Sequence, residues 1–275
     1  MKIALPFAKN ASAASRERTL RAVAALGALL LAACGNNTTQ VSAANAEGLV
    51  TAGKSALQAA TLSDAEVVQL SERSCAEVDA SSKIAAPKSK YALRLAKIVK
   101  GMPKEVNGVS INYKVYETKE VNAWAMNNGC VRIYSGLMDL MKDDEVRGVV
   151  GHEIGHVALG HSKKAMQVAY AAGAARQVAA ASGNSAVAAL SSSDIGAIAE
   201  KLVNAQFSQA QESAADDYAF DLLTTAKLKR EGLVTAFEKL AKQGDNSSML
   251  SSHPSSSDRA QRMRAPRDER TERNA

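Results

Sequence analysis

The chain has 275 residues, 46% of them hydrophobic and only 4% aromatic, with a formal net charge of +6 at neutral pH. Five basic residues against one acid within positions 1–33 account for +4 of that charge and leave the remainder near +2. A pI of 9.2 therefore gives no argument for a nucleic-acid partner, and roughly 200 residues outside the terminal segments suit a single domain.

Lys2, Lys9, Arg16, Arg18 and Arg21 form a positive n-region, residues 22–31 a short apolar run, and Leu31-Ala32-Ala33-Cys34 resembles a bacterial lipobox. Residues 1–33 are expected to be a lipoprotein signal peptide and Cys34 the lipidated residue. The alternative is a signal anchor with an incidental cysteine, but some ten apolar residues are too few to cross a hydrocarbon core of about 30 Å. Gly35 stands where an aspartate would retain a lipoprotein in the inner membrane, so the expected place is the outer membrane, facing the periplasm. Residues 34–61, rich in Ala, Asn, Thr, Ser and Gly, read as a flexible tether from lipid to domain. Cys75 and Cys130 then remain as an even pair in an oxidising compartment, which points to a disulfide, two buried thiols being the alternative.

The folded domain is expected over 62–265. Ser63, followed by Asp64 and Glu66, starts a helix that runs through Val78, and Tyr91, Leu93, Leu95, Ala96 and Ile98 stripe a second over 89–100. Between Val109 and Ser135 the period changes to two: Ile111, Tyr113, Val115 and Val121 suggest strands, and Asn127-Asn128-Gly129 joins two of them as a hairpin. Helix returns at Leu137. Asp143 or Asp144 caps the next one, in which Val146, Val149, Val150, Ile154 and Val157 recur at helical spacing. Residues 163–207, rich in Ala, Ser and Gly, read as two helices with a break, or as a mobile cover over a cleft. Helices over 200–225 and 230–242 follow, and six arginines among four acids end the chain in a solvated tail, disordered over 266–275.

The helix after residue 143 carries His152-Glu153-Ile154-Gly155-His156. Histidines four apart lie about 40° from each other around a helix, so both imidazoles reach one metal ion, and the glutamate between them can act on a water bound to it. A catalytic zinc usually takes a third protein ligand. His161 falls five residues after His156, not the six that the metzincin pattern requires, and is assigned to the helix end. Glu212 and Asp216, four apart on a later helix, fit better. Glu212 completes a His₂Glu zinc site, and Asp216 accepts a hydrogen bond from the free nitrogen of one zinc histidine. An acidic helix face is the bland alternative.

These residues carry a resemblance. Asn122-Ala123-Trp124-Ala125-Met126 through Gly136-Leu137, Asp144-Glu145, the HEIGH run, Glu212 with Ala215 and Asp216, and His253-Pro254 with Arg259 stand in the order of the zinc metallopeptidase family that includes the HtpX and CAAX-prenyl endopeptidases. The lipobox and paired cysteines look most like its bacterial envelope lipoprotein branch, the LoiP-type proteases. The resemblance covers roughly 62–265 and implies an α+β fold: a mostly helical zincin-like domain with a small hairpin or sheet beside the HExxH helix. It implies that His152, His156 and Glu212 bind one zinc ion, that Glu153 is the general base, and that His253 lies toward the site, where it could stabilise an oxyanion. Many relatives have Pro and Gly where this chain has Asn127-Asn128-Gly129, which puts the substrate-facing edge in question. The expected function is a lipid-anchored zinc endopeptidase acting on unfolded or misfolded envelope proteins, with an envelope protein as a further partner. A zinc-binding, non-hydrolytic chaperone or assembly factor is the alternative.

Overall fold

In the computed structural model, Ser63 begins the first helix among the described residues, α1 (Asp64–Ser81), with a reciprocal capping box: its hydroxyl accepts from Glu66 N–H, and Glu66 Oε2 accepts from Ser63 N–H at 2.9 Å. The structure describes residues 62–174, 190–243, 249, 252–253 and 256–265. Cys34, the expected signal peptide and tether, residues 175–189 of the stretch expected to hold a break or a mobile cover, and the 266–275 tail lie outside the described residues. Among the described residues no helix is long and apolar enough to cross a membrane.

Helix α2 (Lys90–Ile98) turns Leu95 and Ile98 inward. Two short strands, β1 (Glu105–Val106) and β2 (Val109–Ser110), pair antiparallel about Asn107 and Gly108. Both turn residues have positive φ, 53° and 79°, as a type I′ turn requires. This Asn-Gly hairpin is an addition to the expected strands. Three strands form the main sheet in the order β3-β5-β4: β3 (Asn112–Tyr116) runs parallel to β5 (Cys130–Tyr134), and β4 (Ala123–Ala125) antiparallel to it. The hairpin expected at residues 127–129 is the β4–β5 connection, with Gly129 at φ 77°. Val121 falls in the loop before β4 rather than in a strand.

After α3 (Ser135–Leu140) comes α4 (Asp143–Ala158), which holds the HExxH. Its N-cap is Lys142; Asp143 and Asp144 lie in the first turn without capping it, and Glu145 reaches back to Lys142 N–H at 2.6 Å. Gly160, at φ 74°, ends this stretch before α5 (His161–Ala174). The helix expected over 200–225 is two, α6 (Ser192–Val203) and α7 (Gln209–Thr225). Ser208 and Gln211 build a fresh capping box that starts a second helix, a local signal that the apolar period alone does not carry. Helices α8 (Glu231–Ala241) and α9 (Ser256–Arg264) complete the order among the described residues.

The main core lies between the sheet and α2 on one side and α4, α7, α8 and α9 on the other, with Val146, Val149, Val150 and Ile154 of α4 fully buried. A second cluster joins α1, α5 and α6 through Leu70, Met166, Tyr170 and Ile198. Helix α1 is fastened to the sheet twice: Cys75 is disulfide-bonded to Cys130, and one turn on Asp79 receives both Arg132 Nε at 2.8 Å and Nη2 at 2.9 Å, Lys114 Nζ at 2.7 Å and the Tyr116 hydroxyl at 2.6 Å.

Candidate active site

The site exists because two helices cross α4 at glycines. A Cβ on Gly148 would stand 2.7 Å from Leu233 Cα of α8, and one on Gly155 would stand 2.9 Å from the Ala215 carbonyl of α7. Only a bare backbone permits the second approach, and it sets Glu212 and Asp216, one turn apart on the near face of α7, against the two histidines of α4.

His152 Nε2 and His156 Nε2 are 3.0 Å apart. Glu212 Oε1 is 3.3 Å from His156 Nε2, and Oε2 is 3.6 Å from His152 Nε2. His253, from the segment between α8 and α9, brings Nδ1 to 3.0 Å from Glu212 Oε1 and 3.3 Å from His152 Nε2. All four groups are buried, with donor atoms within 4.8 Å of one another. A tetrahedral ion with bonds of ~2.1 Å has ligand–ligand edges of ~3.4 Å, and the separations bracket that value. Burial lowers the basicity of His152 and takes His156 well below the ordinary histidine range, so both present lone pairs. Burial alone would raise the Glu212 carboxyl, but His253, His156 and His152 hold it far below the usual range as a carboxylate. Lone pairs and a carboxylate converging in a dry pocket fit a divalent cation with nitrogen and oxygen ligands.

A supporting layer fixes these donors. Asp216 Oδ1 accepts from His152 Nδ1 at 2.8 Å, which aims Nε2 inward. Arg259 of α9 donates to Asp216 through Nε at 2.9 Å and Nη2 at 2.7 Å, and its Nη1 lies 2.6 Å from Glu212 Oε2. The guanidinium stacks over Phe237, 4.0 Å from the ring centre. His161 opens α5 with Nδ1 3.1 Å from His156 Nδ1 and stays outside the donor group.

Glu153 is buried, its Oε1 has no hydrogen-bond partner, and His253 Nε2 is 3.5 Å from it. Burial pushes this carboxyl up to about 7, with the charge of His253 opposing and that of Glu212 reinforcing the shift. The cleft beside it is walled by Ala123, Ala125, Ser162, Leu202, Val203 and Phe207. Its floor is β4, the edge strand, whose Ala125 carbonyl accepts from Ser162 Oγ at 3.2 Å. Phe207, in the break between α6 and α7, stacks on His156 with ring centres 3.9 Å apart. The sequence reading missed Phe207 and Ser162; neither belongs to a motif, and only the split of the long helix points to the first. It also gave His253 no place among the metal donors, because a histidine 97 residues beyond His156 carries no spacing signal.

An HExxH helix, a glutamate from a second helix and an edge strand beside them define a metallopeptidase. Residues 89–267 match peptidase family M48, and the chain belongs to that family. It is similar to metalloprotease LoiP of Escherichia coli strain K12, 53% identical over 80% of this chain and 88% of the relative, and to metalloprotease YcaL of the same strain, 51% identical over 78% and 85%. Protease HtpX of Pseudomonas fluorescens strain Pf0-1 is 33% identical over 28% of each chain. The protein is a metalloendopeptidase of the LoiP type.

Proposed function

We propose that the protein is a zinc-dependent endopeptidase, anchored through lipid on Cys34 to the outer membrane and facing the periplasm, that hydrolyses unfolded or misfolded envelope proteins. The observation that carries the chemistry is Glu153: a buried carboxyl with an unpartnered oxygen beside converging histidine and glutamate donors. His152, His156 and Glu212 hold the zinc ion. When bound, it supplies an acidified water and a polarised scissile carbonyl. Glu153 Oε1 accepts the proton of the attacking water and delivers it to the leaving amine, a shuttle suited to a carboxyl raised toward neutrality. Asp216 keeps the His152 proton on Nδ1, and Arg259 holds Glu212 and Asp216 in place. A catalytic centre keeps one position for water. With His152, His156 and Glu212 as the three ligands, His253, whose Nε2 is 3.5 Å from Glu153 Oε1, would stand beside the water position and face the developing oxyanion. The apolar cleft and edge strand suit an extended peptide held by its backbone. The lipobox and the short apolar run before it support the anchor.

Zinc content and casein cleavage are compared for the unmodified protein and Glu153→Gln. Zinc in both, with cleavage lowered at least about 100-fold in the variant, is expected. Retained cleavage would overturn the role of Glu153, and absence of zinc in both would overturn the donor assignment. Cys34→Ala abolishes incorporation of labelled palmitate; unchanged labelling would refute the anchor.

A further inference from the structure

Although the chain beyond residue 33 is nearly neutral, positions 80–104 carry seven basic residues and no acid. Two of the seven are engaged, Lys83 with Glu117 at 2.6 Å and Arg94 with Asp143 at 2.7 Å. Lys88, Lys90, Lys97, Lys100 and Lys104 are exposed and pair with no acid among the described residues; Lys90 stands over its neighbour Tyr91, 4.6 Å from the ring centre. Around α2, at 100° per residue, Lys90, Leu93 and Lys97 fall within about 60° of one another, opposite the buried Leu95 and Ile98. Lys100 and Lys104 extend the basic run just past the helix end. Leu93, which flanks this stripe one turn after Lys90, is 53% exposed. Of the nearby acids, Asp143 meets Arg94 and Asp139 accepts from the Tyr91 hydroxyl, while Glu105, exposed at the start of β1, stands directly after Lys104.

The stripe also has a direction. Arg94 meets Asp143 at the start of α4, and Arg147 Nε donates to the Ile98 carbonyl at 2.7 Å, so α2 runs along α4 toward its C-terminal end. There Asn107 donates to the Ala158 carbonyl at 3.1 Å, and Lys163, five residues on, pairs with Asp64. Leu62, where the described chain starts after 61 preceding residues, thus sits at the end toward which Lys100 and Lys104 lead.

We propose that Lys90, Leu93, Lys97, Lys100 and Lys104 form a docking surface for anionic phospholipid headgroups, the lysines facing phosphates and Leu93 entering the headgroup layer. A basic helix face flanked by an exposed apolar side chain is the chemistry of an interfacial contact, and none of the stripe's own residues is an acid. The contact orients the domain against a bilayer whether or not Cys34 carries lipid. It goes beyond the peptidase reading and uses no residue of the active site.

The test reads the contact locally, so that whatever else attaches the chain to a membrane does not matter. The full chain with Leu93→Trp is placed on vesicles containing brominated lipid, either phosphatidylcholine alone or with 30% phosphatidylglycerol. The single native tryptophan, Trp124, is 4% exposed and gives the background from the unmodified chain. Quenching of the added indole on the anionic vesicles only is expected. Adding Lys97→Gln, Lys100→Gln and Lys104→Gln lowers the docked population about 100-fold, at roughly fivefold per lysine, whereas Lys201→Gln, Lys229→Gln and Lys242→Gln leave it unchanged. Equal quenching on both vesicles, no quenching on either, or equal loss in the two triple variants would overturn the proposal; the second outcome would assign the stripe to a partner other than lipid.

Discussion

Asp216 touches no substrate, yet it should control how tightly the metal is held. Its Oδ1 receives His152 Nδ1 at 2.8 Å and Arg259 Nη2 at 2.7 Å, and its Oδ2 receives Arg259 Nε at 2.9 Å, in a pocket with no exposure. Asp216→Asn preserves shape and can still present an oxygen to His152. Its amide nitrogen must then face Arg259 Nε, donor against donor. The variant loses one charge-assisted hydrogen bond, about 1.5–3 kcal/mol, and leaves the buried guanidinium with Glu212 as its remaining counter-ion. That draws Glu212 Oε2, already 2.6 Å from Arg259 Nη1, further from the donor group. Loss of such an orienting partner typically weakens metal affinity 10- to 100-fold, about 1.4–2.7 kcal/mol. Zinc affinity measured by competition with a chromophoric chelator, beside circular dichroism of the folded protein, checks the estimate. A folded variant with unchanged zinc affinity would show that Asp216 and Arg259 only pack α7 against α9, and the argument would fail.

Two further outcomes follow from packing and charge. Gly148→Ala gains about 1 kcal/mol of helix propensity, but its new Cβ meets the Leu233 backbone at 2.7–2.8 Å, where no side chain can swing aside. A lower midpoint in thermal unfolding, equivalent to a net loss of about 1–3 kcal/mol, is expected; a raised midpoint would refute the close crossing of α4 and α8. Asp79 is opposed by burial but held well below the ordinary aspartate range by Arg132, Lys114 and Tyr116. Its contribution is therefore complete above about pH 4 and fades as pH falls through the depressed value. Asp79→Asn should cost about 3 kcal/mol at pH 7, with the gap in urea midpoints narrowing below pH 4; a gap that widens in acid would reverse the assigned sign.

Much of this molecule is written locally. Histidines four apart converge on any helix, Ser63 with Glu66 caps a helix wherever it forms, and the Gly129 turn closes β4 onto β5, because each depends on contacts within a few residues. Glu212 and Asp216 were legible for the same reason, as a pair one turn apart, and the chemistry of a third zinc ligand pointed them at the HExxH helix. What it left open depends on distant approach. The parallel pairing of β3 with β5 joins strands separated by the whole of β4, and no period reveals which neighbour a strand takes. Gly148 and Gly155 look like ordinary weak points in a helix until Leu233 and Ala215 arrive against them. Only the resemblance brought His253 and Arg259 toward the site; in sequence they lie 101 and 107 residues from His152, each in direct reach of it, and Phe207, stacked on His156, carries no motif at all. Helical spacing fixes which side chains share a face; which faces meet is decided by the burial of apolar surface across the whole domain, and that sum has no local signature.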